Sequence, residues 1–180
     1  SCTYDEETES VSFVTDHLSY YTVVYREGAA WTNPFSDISD TAWYYDAVAY
    51  ANQHGLLKGV GSDTFDPNGT TTRAMVVTVL WRMAGEPAAG ASSFSDVNDG
   101  AWYANAVTWA AENGIVNGVG DGLFKPNDNI TREQLAVILY NYADFMEYDM
   151  SAGLNTDILS YNDAPNISQY AFSSLEWACG

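Results

Sequence analysis

The amino-acid sequence predicts a mainly α-helical protein built from repeated helix–loop–helix units, with a short β-hairpin segment before them. Two observations carry this prediction. Short motifs recur across residues 35–150 at one constant spacing, and apolar side chains recur within each repeat at the spacing of a helix face. Residues 1–25 differ, because they are rich in β-branched and aromatic residues, which favour strands.

Five motifs occur twice in the same order, and the members of every pair are 59 positions apart. Unrelated segments would not keep that register by chance, so the motifs define two copies of one unit. The pairs are Phe35-Ser36-Asp37 with Phe94-Ser95-Asp96, Ala42-Trp43-Tyr44 with Ala101-Trp102-Tyr103, Gly59-Val60-Gly61 with Gly118-Val119-Gly120, Phe65-Asp66-Pro67-Asn68 with Phe124-Lys125-Pro126-Asn127, and Thr72-Arg73 with Thr131-Arg132.

A third copy begins near Tyr161, where Tyr170 and Trp177 stand in place of Trp102 and Trp109. The glycine loop and the Thr-Arg motif of this copy are not in the sequence. We therefore predict the closing strands of a β-rich domain at 1–25, a linker at 26–34, copy one at 35–90, copy two at 91–150 and a partial copy three at 151–180.

Each full copy reads as a helix, a loop and a second helix. Gly55 and Gly114 should end the first helix, and a loop rich in Gly, Asp, Asn and Pro follows. The second helix should start near Thr72 or Thr131. One unit cannot bury its apolar face alone, so we expect the copies to pack on one another. The predicted buried faces are Trp43, Ala47, Tyr50 and Ala51 on the first helix of copy one, and Leu135, Ile138, Leu139 and Tyr142 on the second helix of copy two.

The N-terminal segment reads as two short strands joined at Asp16-His17. A lone hairpin is marginally stable in water, so we expect this piece to close a β domain whose front is absent. The first predicted strand carries Val11, Phe13 and Thr15, and the second carries Leu18, Tyr20, Thr22 and Val24.

Composition excludes several classes of function. The 180 residues are 47% hydrophobic with a net charge of −18, which fits a globular protein and disfavours nucleic acid as a partner. No apolar run reaches the roughly 18 residues that membrane insertion needs. Cys2 and Cys179 have no metal-ligand spacing, and His17 and His54 are too distant to predict a zinc site. No nucleophile–base pair stands out, so we predict no catalysis, metal or cofactor.

The ordered motifs of residues 35–180 resemble the S-layer homology domain. That resemblance implies three copies packed around a central bundle of their first helices. It also implies binding of secondary cell-wall polysaccharide, often carrying a pyruvate ketal, in grooves between copies. The expected role is non-covalent anchoring of a secreted protein to the bacterial cell wall. The family's Thr-Arg-Ala-Glu motif falls on residues 72–75 and 131–134, where Met75 and Gln134 replace the glutamate.

Arg73 and Arg132 are the main candidates for binding an anionic ligand. Each follows a predicted Thr N-cap, where a cation is disfavoured by the helix dipole, so helix stability does not explain it. A guanidinium beside a helix N-terminus can bind a carboxylate, and the alternative is a solvated or salt-bridged arginine. Thr131 and Gln134 have the spacing of a capping box, in which each side chain accepts from the other residue's backbone N–H, whereas Thr72 and Met75 should form only one of these two bonds. The helix start of copy two should therefore be better ordered, so we expect Arg132 to bind an anion more strongly than Arg73.

Other candidate ligand residues have structural alternatives. The four loop glycines Gly59, Gly61, Gly118 and Gly120 either supply tight turns or let backbone N–H groups approach a sugar, and turns are favoured. Asp37 and Asp96 either cap backbone groups or bind a sugar hydroxyl, and capping is favoured. Trp43 and Trp102 are core residues or sugar platforms, and the core is favoured. The complete set of candidate residues is Arg132, Arg73, Asp37, Asp96, Trp43, Trp102, Gly59, Gly61, Gly118, Gly120, Thr72, Thr131 and Gln134.

A second functional reading is a structural subunit that self-assembles through its repeats into a surface lattice or filament. The incomplete third copy favours it, because the first helix of that copy would seek a partner. An enzyme would need catalytic residues outside this sequence.

Overall fold

The computed structural model describes residues 2–5, 10–13, 31–151 and 156–180. The chain divides into two compact units, Ser1–Thr32 and Asn33–Gly180. In the first unit, strand β1 (Cys2–Asp5) pairs antiparallel with strand β2 (Ser10–Phe13).

The observed strand pair is not the predicted one, because β2 has a different partner strand. Strand β2 includes Val11 and Phe13 of the first predicted strand, but it pairs with β1, a segment where no strand was predicted. The predicted second strand and the turn at Asp16-His17 lie outside the described residues. The hairpin around that turn therefore stays a prediction.

The second unit is helical, as predicted. Three short 3₁₀ turns, at Ile158–Ser160, Ala164–Asn166 and Gln169–Ala171, precede the last helix. The helices are α1 (Tyr45–Gln53), α2 (Arg73–Met83), α3 (Ala104–Glu112), α4 (Arg132–Phe145) and α5 (Phe172–Ala178). Copy one holds α1 and α2, copy two holds α3 and α4, and the partial third copy holds α5.

The predicted helix ends are confirmed. Gly55 and Gly114 follow the last turns of α1 and α3 with φ of +70° and +71°, where a side chain would be strained. Just beyond Gly114, the N–H of Ile115 donates to the carbonyl of Ala110 at 2.8 Å, which satisfies an otherwise unpaired helix carbonyl. The chain therefore turns sharply out of each first helix into its loop.

Both second helices start at the predicted threonine, but the expected contrast between them is wrong. Thr131 Oγ1 accepts from the Gln134 N–H at 3.2 Å, and Gln134 Oε1 accepts from the Thr131 N–H at 3.3 Å. In copy one, Thr72 Oγ1 accepts from the Met75 N–H at 3.3 Å, and Met75 Sδ accepts from the Thr72 N–H at 3.5 Å. Thioether sulfur is a weak acceptor, yet its flexible chain reaches far enough to complete the box.

The second helix of each copy packs on the first helix of the next. Helix α2 packs on α3, and α4 packs on α5, so the core is shared between copies. Ala74 and Val77 of α2 are fully buried against Val107 and Ala110 of α3. The expectation that copies bury one another's apolar faces is confirmed, while their arrangement around a central bundle of first helices stays a prediction. The predicted stripe of α4 is buried at Ile138 and Tyr142 and half-buried at Leu135 and Leu139.

The predicted buried face of α1 is wrong at Trp43, Ala47 and Tyr50, and Ala51 is half-buried. Ala47 and Tyr50 are exposed, whereas the equivalent Ala106 and Trp109 of α3 are 1% and 4% exposed. The difference arises from the order of the copies along the chain: α2 of copy one covers α3, while no described helix packs comparably on α1. Val48 and Ala49 are the residues that α1 buries.

Trp43 and Trp102 lie outside the core, which corrects the favoured interpretation of both. Trp43 is 93% exposed and Trp102 is 59% exposed. Both precede the helices, since α1 begins at Tyr45 and α3 begins at Ala104. In copy two it is the following residue, Tyr103, that enters the core.

An aspartate in each copy clamps the loop that precedes the second helix. The Asp37 carboxylate accepts from the N–H groups of Phe65 and Asp66 at 2.9 and 2.7 Å. In copy two, the carboxylate of Asp96 accepts from Phe124 and Lys125 at 2.9 and 2.8 Å. Backbone capping is thus confirmed, but the capped groups belong to the distant loop and not to the first helix.

The clamps should make folding stability depend on acid pH. The hydrogen bond from the Phe65 backbone N–H, together with the one from Asp66, holds the pKa of Asp37 below its ordinary value. For Asp96, burial raises the pKa, but the backbone N–H groups of Phe124 and Lys125 outweigh it and the net shift is downward. A carboxyl with a lowered folded-state pKa stabilises the fold above its unfolded-state pKa, and the contribution is lost as pH falls through the folded value.

We therefore expect the free energy of unfolding to fall as pH drops below 3.8, the ordinary pKa of an aspartate. Asp37→Asn and Asp96→Asn should lower stability at neutral pH and flatten this acid dependence, because an amide can present one acceptor to two donors. Urea titrations across the pH range measure both effects. If the free energy of unfolding fell equally steeply with decreasing pH in the wild type and both variants, the clamp interpretation would be contradicted.

The exposed face of α1 leads to a second expectation. The packing implied by the family resemblance would place the second helix of a complete third copy on α1. A chain extended beyond Gly180 by a loop and helix copied from residues 113–146 should bury Tyr50 and melt roughly 5 °C higher, as expected for about 2 kcal/mol of added apolar burial.

Differential scanning calorimetry and light scattering test this expectation, with an extension of scrambled sequence as the control. Any self-association of the unextended chain should decrease when the matched extension is present. Identical melting temperatures for the matched and scrambled extensions would show that the added helix does not pack on α1.

Candidate functional site

A groove of about 450 Å³ runs between residues of all three copies. Its size lies in the range that small-molecule ligands occupy. Arg73 comes from copy one, and Tyr170 comes from the partial third copy. Copy two contributes the rest of the lining: Ile115, Val116, Asn117, Gly118, Val119, Gln134, Val137 and Ile138.

Arg73 is held at the groove by copy two. Its Nε donates to the Phe124 carbonyl at 2.9 Å, and its Nη2 donates to the Asn117 carbonyl at 3.4 Å. The guanidinium carbon lies 4.6 Å from the centre of the Phe124 ring, a cation–π contact. Nη1 makes no hydrogen bond within the described part of the chain. These contacts therefore fix the side chain in place, and Nη1 remains available to donate to a ligand.

Arg73 is also a buried cation without a counter-ion. The residue is 4% exposed, and it forms no salt bridge with any carboxylate of the described residues. Burial lowers the pKa of its guanidinium, with Asp128 and Asp96 acting in the opposite direction. An arginine keeps its charge at any physiological pH, so the groove contains a positive charge that a bound anion would neutralise.

The N-terminus of α2 does not add to this site, which corrects the expected combination of helix N-terminus and guanidinium. The N–H groups of Arg73 and Ala74 donate to the carbonyls of Asp128 and Pro126, both at 3.0 Å. The next N–H along the helix is taken by Thr72. The loop of copy two thus satisfies the donors that an anion would need, and Thr72 acts as a helix cap.

Arg132 lies in a different environment from Arg73. It is exposed and does not line the groove, and its side chain has no hydrogen bond or ion pair among the described residues. The partners of Arg73 come from the following copy, and Gly180 precedes the third-copy positions equivalent to Asn117 and Phe124. Thr131 likewise serves only as the cap of α4. Gln134 is the residue of this motif that joins the groove.

The loop glycines chiefly allow tight turns and close backbone approaches, which is the interpretation that the sequence favoured. Gly59 has φ of +80°, and a Cβ added there would come within 2.6 Å of the Phe35 ring. A Cβ on Gly118 would lie 2.6 Å from the Leu123 carbonyl oxygen, and Gly120 has φ of +106°. Gly61 shows neither constraint. Of the four predicted glycines, Gly118 is the one that lines the groove.

Sequence analysis missed Tyr170, Asn117 and Val119 as groove residues. Tyr170 occupies the position in copy three that Trp102 occupies in copy two, and it is 61% exposed beside Arg73. Burial and the nearby Glu133 raise the pKa of the Tyr170 hydroxyl, which keeps it a neutral donor. The repeat alignment singled out this position, but it gave no indication that the aromatic of one copy meets the arginine of another. Neither Trp43 nor Trp102 reaches the groove, and Asp37 and Asp96 are engaged in their clamps.

Neither a cluster of metal ligands nor a membrane-spanning helix is found among the described residues. No group of three or more His, Cys, Asp or Glu side chains is arranged to hold a metal ion in that part of the chain. None of its helices is both long enough and apolar enough to cross a membrane.

Comparison with known proteins identifies the repeated unit. A model of the S-layer homology domain matches residues 34–74 and 93–136. The chain is 32% identical over 146 residues to an endoglucanase of Bacillus sp. (strain KSM-635), a match that covers 81% of this chain and 15% of the relative. It is 33% identical over 150 residues to the surface-layer 125 kDa protein of Lysinibacillus sphaericus, covering 83% of this chain and 12% of the relative.

A third relative, a cellulosome-anchoring protein of Acetivibrio thermocellus, is 32% identical over 94 residues, or 49% of this chain and 21% of the relative. The chain thus spans about a fifth or less of each of these proteins. The motifs, the helix–loop–helix copies and the two matched segments agree, and they identify the chain as an S-layer homology domain protein.

Proposed function

We propose that this chain holds its protein on the bacterial cell surface by binding an anionic cell-wall polysaccharide in the groove at Arg73. The observation that carries the proposal is the buried guanidinium, which has hydrogen bonds but no counter-ion. A buried charge is costly unless it is paired, so the groove favours a ligand that brings an anion to Nη1. The role is binding without catalysis.

The groove's other residues suit a sugar that carries a carboxylate, such as a pyruvate ketal. The exposed ring of Tyr170 offers a face on which a sugar ring can stack, and Val119 and Val137 offer apolar contact for a ketal methyl group. Asn117 and Gln134 have amide groups that can hydrogen-bond hydroxyls. An arginine is the residue best matched to a carboxylate, because its donors are planar and fixed.

The relatives support an attachment role. Their names describe an endoglucanase, a surface-layer protein and a cellulosome-anchoring protein, and the shared segment is a small part of each. A segment common to proteins with such different names fits a module that fixes its carrier to a surface. The whole protein's location at the cell wall follows from the same proposal.

Self-assembly is the second candidate function, and the exposed face of α1 favours it. Tyr50 is half exposed on α1, whereas its equivalent on α3, Trp109, is buried, and Trp43 adds exposed aromatic surface just before α1. Contact between two chains through this face would build an oligomer or lattice. Light scattering of the unextended chain at increasing concentration separates this role from monomeric wall binding.

The first expectation is selective wall binding. The protein should co-sediment with cell-wall sacculi that retain their secondary polysaccharide and should remain in solution with sacculi from which the polymer has been removed. Since the chain carries a net charge of −18, long-range forces oppose an anionic polymer, and moderate salt should not abolish binding. Equal sedimentation with both preparations would contradict the proposal.

The second expectation ranks the two arginines by their surroundings, in the reverse of the order that the sequence suggests. Arg73→Ala should weaken binding of a ketal-bearing wall fragment roughly tenfold to hundredfold, the equivalent of losing about 1.5–3 kcal/mol from a charged hydrogen bond. Arg132→Ala should change the affinity little, because Arg132 lies outside the groove. Calorimetric titration measures both.

Arg73→Ala should also lower the melting temperature, since it removes two hydrogen bonds and a ring contact within the fold. The same fragment without its ketal provides the control. Loss of the carboxylate contact should reduce the preference for the ketal-bearing fragment, while a general loss of folding would weaken both fragments alike. A larger effect from Arg132→Ala would overturn the ranking.

A further inference from the structure

The groove arginine of copy one is connected to the clamp aspartate of copy two through a single residue. Phe124 donates its N–H to Asp96 and accepts from Arg73 Nε through its carbonyl, both at 2.9 Å. Its ring is fully buried under the same guanidinium. Lys125, the next residue, gives the second N–H of the clamp and has φ of +57°. The clamp therefore fixes the orientation of the peptide that holds Arg73.

We propose that Asp96 is a positioning residue for Arg73, so that ligand affinity in the groove depends on a carboxylate that does not touch the ligand. Both Asp96 oxygens accept backbone N–H bonds, and the residue is absent from the groove lining. This replaces its expected role as a contact for a sugar hydroxyl. The effect on affinity rests on the function proposed above, while the effect on Arg73 does not.

The geometry explains why the link is sensitive. A hydrogen bond weakens steeply as its angle and distance depart from the optimum, and Arg73 Nε has one carbonyl to donate to. If the loop loses its clamp, the Phe124 carbonyl and ring can move together, and both contacts of the guanidinium change. Ligand-binding groups must be held within about half an ångström to act, so a modest loop shift suffices.

Copy one offers a matched control. Asp37 makes the same clamp on Phe65 and Asp66, and Asp66 has φ of +59°. Yet no arginine of the described residues donates to the Phe65 carbonyl, and none lies over its ring. Removing either clamp should therefore disturb a similar loop, but Asp96 alone should affect Arg73.

The test compares Asp96→Asn with Asp37→Asn in two measurements. The first is hydrogen exchange of the Arg73 Nε–H, followed by nitrogen–proton NMR. It should be about tenfold faster in Asp96→Asn, corresponding to about 1.4 kcal/mol, and within about twofold of wild type in Asp37→Asn. The second is the affinity for a methyl glycoside that carries a pyruvate ketal, which should weaken by a similar factor in Asp96→Asn only.

A second variant separates positioning from simple charge attraction, since Asp96 also acts on Arg73 through its charge. Asp96→Glu keeps the negative charge, but its longer side chain cannot hold both N–H groups in the same place. It should accelerate Nε–H exchange as Asp96→Asn does. Asp96→Glu also provides the test of positioning if Asp96→Asn does not fold.

The outcomes distinguish the two proposals. Faster Nε–H exchange in the Asp96 variants alone supports positioning, even if the wild-type protein fails to bind the glycoside, a result that would count against the proposed function. Unchanged Nε–H exchange in both Asp96 variants overturns the positioning role. Equal changes in exchange or affinity for the Asp37 and Asp96 variants overturn it as well.

Discussion

The structure depends on one junction, where the start of α2 meets the loop of copy two. The N–H groups of Arg73 and Ala74 donate to carbonyls of Asp128 and Pro126, and the Arg73 side chain donates to Phe124 and Asn117. These bonds satisfy helix donors that would otherwise need water or an anion. They also fix α2 against α3, so the apolar faces of two copies close into one core.

Much of the helical unit was predictable from the sequence, because local chemistry determines it. Thr72 and Thr131 are N-cap residues followed by helix-forming segments, and Gly55 and Gly114 adopt the positive φ that ends a helix. These features involve residues within one turn of each other. Their effect is the same in both copies, so a repeat makes them easy to recognise.

The parts that the sequence did not predict depend on contacts between copies. Ala47 and Ala106 are identical residues at equivalent positions, yet one is exposed and the other is buried by the preceding copy's second helix. Arg73 and Arg132 differ in the same way, since Arg73 donates to the loop of copy two while Arg132 is exposed. Spacing within a repeat contains no information about which neighbour a repeat has.

The sharing of Arg73 between copies determines how many binding sites a series of repeats can have. Each arginine is contributed by one copy, but the carbonyls and ring that hold it belong to the next. A site is thus a property of a junction, and an open row of repeats has one junction fewer than it has repeats. Valency then grows with junctions, and a row that closes into a ring gains one more site without gaining a residue.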